Sequence, residues 1–137
     1  MPTETNKAAI RHYIEEAWNK GNVGIIDELM TLGYQRHLTS ATLDREGQKQ
    51  RILGFRRAFP DIHLTVKGMV AEGELVTFRL ELVGTHQGAF MGVPATGKQM
   101  RTEAIDMARF EHDKVAEQWG VTDLVAVLQQ IGGLPTA

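Results

Sequence analysis

The sequence contains no cysteine. This absence excludes disulfide bonds, thiolate nucleophiles and zinc sites built from cysteine. The first ten residues, MPTETNKAAI, lack the order of basic and then apolar residues that marks a signal peptide. No apolar run approaches the length that spans a membrane. We therefore expect a cytoplasmic protein with no membrane partner.

Neither positive nor negative charge predominates in the sequence. Fifteen basic and 17 acidic side chains give a formal net charge of −2, and the basic ones form no continuous stripe. Nucleic acid requires a basic face, so we expect no nucleic-acid partner. The segment GVPATGK has Gln99 where a phosphate-binding loop requires Ser or Thr, so we expect neither nucleotide nor other cofactor. We also expect no metal, since the histidines lack ligand spacing; they are His12, His37, His63, His86 and His112.

The remaining composition is that of an ordinary globular protein. Its 137 residues include 42% apolar and 23% charged side chains, which predicts a single domain over residues 1–137. Apolar residues recur with helical spacing over residues 5–20, 25–30 and 46–59. Asn22 is placed to cap the second of these helices.

The period of the apolar residues changes to two after Asp61. Alternation predicts strands over about 61–70, 76–82, 99–111 and 115–122, with a tight turn at His112 and Asp113. A last helix is predicted over 123–131. Helices followed by a long antiparallel sheet predict an α+β fold, with the helices packed on one face of a curved sheet.

Residues 84–98, GTHQGAFMGVPATGK, form an unusual loop. Five turn formers in this loop alternate with apolar Phe90, Met91 and Val93. Few surface loops carry so many apolar residues, so we expect this loop to cover part of the interior.

This loop, together with EQWGVTDLVAVLQQIG at residues 117–132, resembles the SnoaL-like polyketide cyclase family. That family belongs to the superfamily of nuclear transport factor 2, ketosteroid isomerase and scytalone dehydratase, and the resemblance extends from residue 8 to about residue 131. It implies that the sheet curls around the long helix into a cone, open at one end, with an internal pocket. It also implies a homodimer formed through the exposed sheet face, for which Ile105, Met107, Trp119 and Val121 are suited.

The activity implied by the resemblance is cofactor-independent acid/base chemistry on a small molecule, an aromatic or polycyclic carbonyl compound. In the family this reaction is an intramolecular aldol cyclisation. The same cone also carries hydroxylases, isomerases, dehydratases and binding proteins without catalysis, and the fold does not choose among them.

Strand alternation selects the residues that face the pocket. Apolar even positions over 76–82 place His86 on the inner face, either as a catalytic group or as a hydrogen-bonding residue that holds the loop. In the next strand the even face places Asp106 among small residues. A carboxyl group in a partly apolar cavity has a raised pKa that suits proton transfer. The alternative is that Asp106 faces solvent and Ile105 and Met107 form the core.

The resemblance adds further candidates. An acidic residue follows the last-strand tryptophan in many SnoaL-like cyclases, as we align them, but Gly120 stands there in this chain. Asp123 would supply an acid or cap the last helix. Tyr34 and His37 match a Tyr-x-x-His pattern that reaches the pocket, although His37 also fits a surface loop. We therefore predict Asp106, His86, His37 and Asp123 as catalytic, and Gln118, Trp119, Phe90, Met91, Tyr34, Trp18 and Phe59 as substrate-binding.

Overall fold

The chain begins with helices in the computed structural model, which describes residues 2–135. Helix α1 spans Pro2–Tyr13 and continues as a π-helical segment, Ile14–Asn19. Helix α2 spans Ile25–Leu29 and α3 spans Arg45–Ala58. All three lie where apolar spacing predicted helices, because their apolar residues face one interior.

The sheet contains six strands in the order β2-β1-β6-β5-β4-β3. Neighbouring strands are antiparallel except β1 and β6, which run parallel, so the sheet is mixed and not purely antiparallel as predicted. Helix α4 follows the last strand over Leu124–Ile131. The strands are β1 Met30–His37, β2 Thr42–Leu43, β3 His63–Glu72, β4 Leu75–Thr85, β5 Gln99–Glu111 and β6 Lys114–Thr122.

Strands β1 and β2 were absent from the sequence prediction. The β1 sequence, MTLGYQRH, does not alternate cleanly, and its Leu32 is 87% exposed. Its pairing with β6 also shifts register between Met30 and Gln35. This strand therefore forms because it pairs with β6, a contact that local sequence patterns do not encode.

A bulge in β3 reverses the alternation of inward and outward side chains near the end of this strand. The pairing of β3 with β4 shifts between Val66 and Gly68, and such an extra residue reverses the faces beyond it. Met69 consequently packs against the core, and Val70 is 68% exposed.

The sheet curves around the N-terminal helices, which is the α+β arrangement that was predicted. Helix α1 packs against β3 and β4, and α4 packs against β5. The core lies between the helices and the inner sheet face, where Ile10 and Tyr13 join Phe78 and Leu80 in one cluster. Within residues 2–135, no helix is both long and apolar enough to cross a bilayer.

The glycine loop is attached to the end of α3 through its backbone. The N–H groups of Gln87 and Gly88 both donate to the carbonyl of Ala58, at 2.9 and 3.0 Å. A β-carbon on Gly88 would lie 2.3 Å from the carbonyl oxygen of Arg57. Only glycine therefore allows this close approach of two backbones.

We expect Gly88→Ala to lower the free energy of unfolding by about 1–3 kcal/mol, the usual cost of forced overpacking. Urea denaturation measures this change. Gly68→Ala is the matched control, because a β-carbon there meets no atom within 4 Å. Equal stability of the two variants would contradict the close backbone contact.

Candidate active site

A buried ion pair between Asp106 and Arg36 lies inside the curved sheet. An Nη atom of Arg36 donates to Oδ2 of Asp106, and the two side chains are 2% and 8% exposed. Gln118 donates to the same oxygen through Nε2, at 2.8 Å. The strands that carry these residues, β1, β5 and β6, are neighbours in the sheet. Hydrogen bonds from two different residues thus hold one carboxylate oxygen in a fixed place.

Gly120 makes room for this carboxylate. It is paired directly with Asp106 across the β5–β6 ladder. A β-carbon at position 120 would lie 2.1 Å from Oδ1 of Asp106 and 2.8 Å from a guanidinium nitrogen of Arg36. The ion pair therefore occupies the space that a side chain at position 120 would need.

The two oxygens of Asp106 have different environments. Oδ2 accepts both protein hydrogen bonds, from Arg36 and Gln118. Oδ1 accepts none from residues 2–135, although Asp106 is only 6% exposed. Asp106 lines a small cavity inside the sheet, so Oδ1 is the oxygen with hydrogen-bonding capacity left for a ligand there.

Two tyrosines extend the polar network. The hydroxyl of Tyr34 donates to Oε1 of Gln118 at 2.8 Å, and this bond orients the amide towards Asp106. The hydroxyl of Tyr13 accepts from Nε2 of Gln48 at 2.9 Å and from the indole of Trp18 at 3.2 Å. Burial raises the pKa of Tyr13 and, by more, that of Tyr34. Both phenols therefore stay neutral throughout the range in which proteins are stable.

Two buried polar atoms of the site have no partner within the described residues. They are Nε of Arg36, a donor, and Oε1 of Gln48, an acceptor. Burial acts to lower the pKa of Arg36, but the charge and hydrogen bond of Asp106 outweigh it, and the pKa is raised. Arg36 is therefore a permanent cation. Buried polar atoms are seldom left unsatisfied, so both atoms are candidate contacts for a ligand.

The cavity beside Asp106 is small, and the opening above it is large. The inner cavity measures about 20 Å³, room for one water molecule. The mouth measures about 340 Å³ and shares Arg51, Phe55 and Thr122 with the inner cavity. The inner cavity therefore has room for a single carbonyl or hydroxyl group beside Asp106, and the mouth has room for the rings of a larger molecule. The mouth is otherwise lined by Leu38, Thr39, Ser40, Phe90, Met91, Gly120, Val121 and Leu124.

Comparison with known proteins identifies the family of this chain. The sequence model of the SnoaL-like polyketide cyclases matches residues 8–131. The chain belongs to the SnoaL-like polyketide cyclase family. Among curated proteins it is similar to aklanonic acid methyl ester cyclase DauD of Streptomyces sp. (strain C5), with 31% identity over 72 residues. That match covers 53% of this chain and 45% of DauD, so it spans less than half of the relative.

Solved structures of SnoaL-like proteins have the same fold. AclR of Streptomyces galilaeus, a proposed hydroxylase, is 29% identical with a TM-score of 0.90 over 98% of this chain and 85% of AclR. IdmH of Streptomyces antibioticus, a proposed polyketide cyclase, is 31% identical with a TM-score of 0.83 over 93% of this chain and 98% of IdmH.

Several residues predicted for the SnoaL-like pocket lie there. Asp106, Gln118 and Trp18 line the inner cavity. Tyr34 is hydrogen-bonded to Gln118 behind it. The even face of β5 is therefore the inner face, and the alternative in which Asp106 faces solvent is wrong. The loop residues Phe90 and Met91 line the mouth, Phe90 buried and Met91 61% exposed.

His37 and Trp119 do not lie in the cavity. The Nε2 atom of His37 is 2.8 Å from a carboxylate oxygen of Glu117, and its ring stacks on Trp119 at 5.3 Å. The hydrogen bonds of His37, and then those of Arg109, lower the pKa of Glu117. These side chains are on the outer sheet face because His37 has the opposite parity to Tyr34 in β1. The prediction that His37 and Trp119 lie in the pocket is therefore wrong.

His86, Phe59 and Asp123 also lie away from the cavity lining. Nδ1 of His86 is 2.9 Å from the hydroxyl of Thr96, so this buried histidine holds the glycine loop. Phe59 packs beside it with ring centroids 5.6 Å apart and is fully buried in the core. The carboxylate of Asp123 accepts from the N–H of Ala126 at 3.0 Å and caps α4.

Sequence reasoning missed four polar residues of the site. Arg36 shares the parity of Tyr34 in β1, which would have revealed it if that segment had been recognised as a strand. Gln48, Arg51 and Phe55 have the i, i+3 and i+7 spacing of one helix face. Tyr13 belongs to the apolar face of α1. The signal in each case is a polar side chain on the face of an element whose other residues are apolar.

The homodimer implied for a SnoaL-like protein stays a prediction. Ile105 and Val121 are 57% and 70% exposed on the outer sheet face. Together with Leu124 and Val125 they line an apolar groove of about 500 Å³. Trp119 is half-buried against His37 on the same face.

Proposed function

We propose that this protein closes a ring in a polyketide-like carbonyl compound by intramolecular aldol chemistry, without a cofactor, and that Asp106 is the base. The observation that supports this proposal is the unequal environment of the carboxylate. Oδ2 is held by Arg36 and Gln118, whereas Oδ1 accepts no hydrogen bond from residues 2–135, and the Asp106 side chain lines the inner cavity. A base must be both oriented and accessible to the proton that it removes.

The reaction proceeds with Oδ1 of Asp106 removing a proton from the carbon between two carbonyl groups. The electron pair of that C–H bond moves to the carbonyl oxygen, and the enolate is stabilised by the adjacent Arg36 cation. The enolate carbon then bonds to a second carbonyl carbon of the same molecule. The proton returns from Asp106 to the resulting alkoxide, so the reaction needs no external oxidant or reductant.

The unpartnered polar atoms fit this proposal. The Nε–H of Arg36 is available to donate to an enolate oxygen, and Oε1 of Gln48 is available to accept from an enol or hydroxyl group. Both residues line the cavity that admits one small polar group. The apolar walls exclude water, which strengthens these contacts as charge develops.

Hydroxylation is the second candidate, favoured by the similarity to AclR at a TM-score of 0.90. Dependence on oxygen separates the two reactions, because an aldol cyclisation proceeds anaerobically and a hydroxylation with O₂ does not. Isomerisation, dehydration and simple binding remain as alternative outcomes of the same assay.

The test is turnover of aklanonic acid methyl ester, named for the relative DauD, under anaerobic conditions. We expect cyclisation by the wild type and a loss of at least about 100-fold in kcat/KM for Asp106→Asn, the lower range for a general base. The asparagine keeps the shape of the side chain but cannot take the proton.

Glu117→Gln provides the control, because it makes the same chemical change on the outer face of β6. Far-ultraviolet circular dichroism checks that both variants are folded. Undiminished cyclisation by Asp106→Asn would rule out Asp106 as the base. Turnover that requires O₂ would favour the hydroxylase, and binding without turnover would favour a non-catalytic protein.

A further inference from the structure

Arg51 is a half-buried cation without a carboxylate partner. Within residues 2–135 its guanidinium makes no hydrogen bond and no ion pair. It lies over the rings of Trp18 and Phe55, at 5.8 and 5.3 Å from their centroids. Burial and, next, the charge of Arg36 lower the pKa of Arg51, yet a guanidinium remains protonated in proteins. Within residues 2–135 Arg51 thus forms no ion pair, and Asp106 acts on it only through the longer-range attraction of its charge.

The position of Arg51 links the two compartments of the pocket. Its side chain lines the inner cavity beside Asp106 and also the mouth. It lies on the face of α3 that carries Gln48, three residues earlier, and Phe55, four residues later. Consider a molecule large enough to place its reacting group beside Asp106 while its remaining part lies in the mouth. That remaining part then lies next to Arg51.

The charges that line the pocket are unbalanced. Across the inner cavity and the mouth, the described lining residues include two arginines, Arg36 and Arg51, and one carboxylate, Asp106. Asp106 is already paired with Arg36. The rest of the mouth is apolar or uncharged, so an anion bound there would meet attraction and no opposing carboxylate.

We propose that Arg51 binds an anionic oxygen, a carboxylate or a phenolate, on the flat aromatic body of the substrate. The proposal rests on the proposed function only in assuming that the substrate enters this pocket. The guanidinium of Arg51 contacts the two rings, and its N–H groups make no hydrogen bond within residues 2–135. These N–H groups can donate two parallel hydrogen bonds to one carboxylate. Phe55 and Phe90 supply apolar surface for the aromatic rings.

The test is isothermal titration calorimetry with anthraquinone-2-carboxylate and its methyl ester. We expect the wild type to bind the carboxylate about 10- to 100-fold more tightly than the ester, the value of a hydrogen bond to a charged group. Arg51→Gln should remove this preference and leave the affinity for the ester nearly unchanged. Arg51→Lys keeps the charge and should retain part of the preference, so it serves if the glutamine variant does not fold.

Arg11→Gln is the matched control, since Arg11 is exposed on α1 and does not line the pocket. It should keep the full preference. Titration of 2-hydroxyanthraquinone below and above the pH at which its phenol ionises distinguishes a phenolate site from a carboxylate site. Equal binding of acid and ester by the wild type, binding of neither, or a preference that survives in Arg51→Gln would overturn the proposal.

Failure of the proposed function has a different signature. It would be seen as cyclisation that persists in Asp106→Asn, while the ratio of affinities for acid and ester would be unaffected. The binding measurement involves no turnover, so the two conclusions stand or fall separately.

Discussion

Replacing Arg36 with methionine should lower the free energy of unfolding by about 3–5 kcal/mol, the cost of removing one partner of a buried ion pair. Arg36 is 2% exposed, and its partner Asp106 is nearly as buried. Methionine fills a similar volume but leaves the carboxylate without a countercharge. The destabilisation therefore comes mainly from the unpaired charge and less from lost packing. Urea denaturation at neutral pH measures it.

The double variant Arg36→Met with Asp106→Asn provides the decisive comparison. It removes both charges, so it should recover a large part of the stability that Arg36→Met loses. Non-additivity of this kind is expected when two residues contact each other. Additive losses in the two single variants and the double variant would show that the pair is not coupled as the structure indicates.

Introducing an aspartate at position 120 should cost more than about 3 kcal/mol, since it combines steric overlap with a second buried carboxylate. A β-carbon there would lie 2.1 Å from Oδ1 and 2.4 Å from Cγ of Asp106. Two carboxylates would then compete for the one Arg36 cation. Thermal and urea denaturation of Gly120→Asp, with Gly120→Ala to isolate the steric part, measure the effect.

Exchanging the residues at positions 106 and 120 should relieve both the steric overlap and the competition of two carboxylates for Arg36. In the variant Asp106→Gly with Gly120→Asp, a single carboxylate moves across the β5–β6 ladder to the position after Trp119. The resemblance places the acid of many SnoaL-like cyclases there. We expect most of the stability lost in Gly120→Asp to return, because the guanidinium of Arg36 already lies beside position 120. A double variant no more stable than Gly120→Asp would contradict this explanation of Gly120.

The site could be predicted only in part, for reasons that differ between residues. Asp106 was placed correctly because β5 pairs with β4 without a register shift from Gln99 to Arg109, so counting by two remains valid along it. Counting by two fails at Val70, because the bulge between Val66 and Gly68 reverses the faces beyond it. Sequence alternation carries no information about which strands contain bulges.

His37 and Arg36 show a second kind of limit. The resemblance predicted that His37 reaches the pocket. In the structure, β1 places the His37 side chain on the outer face and the Arg36 side chain on the inner face. The error follows from treating the segment as a loop. Once a strand is known to run through Tyr34, the alternation of its side chains selects Arg36 without further information.

The sequence by itself determined most of the local elements and their order, but not strands β1 and β2. Helical spacing up to residue 59 and alternation from residue 61 onwards define three helices and four long strands, and the glycine loop with its apolar residues marks the cover of the pocket. Tertiary structure alone decided which polar groups meet. Arg36 and Asp106 are 70 residues apart in the chain, and Tyr34 and Gln118 are 84 apart. Local periodicity depends on the backbone repeat of one element, whereas these contacts depend on β6 lying between β1 and β5, which only the assembled sheet specifies.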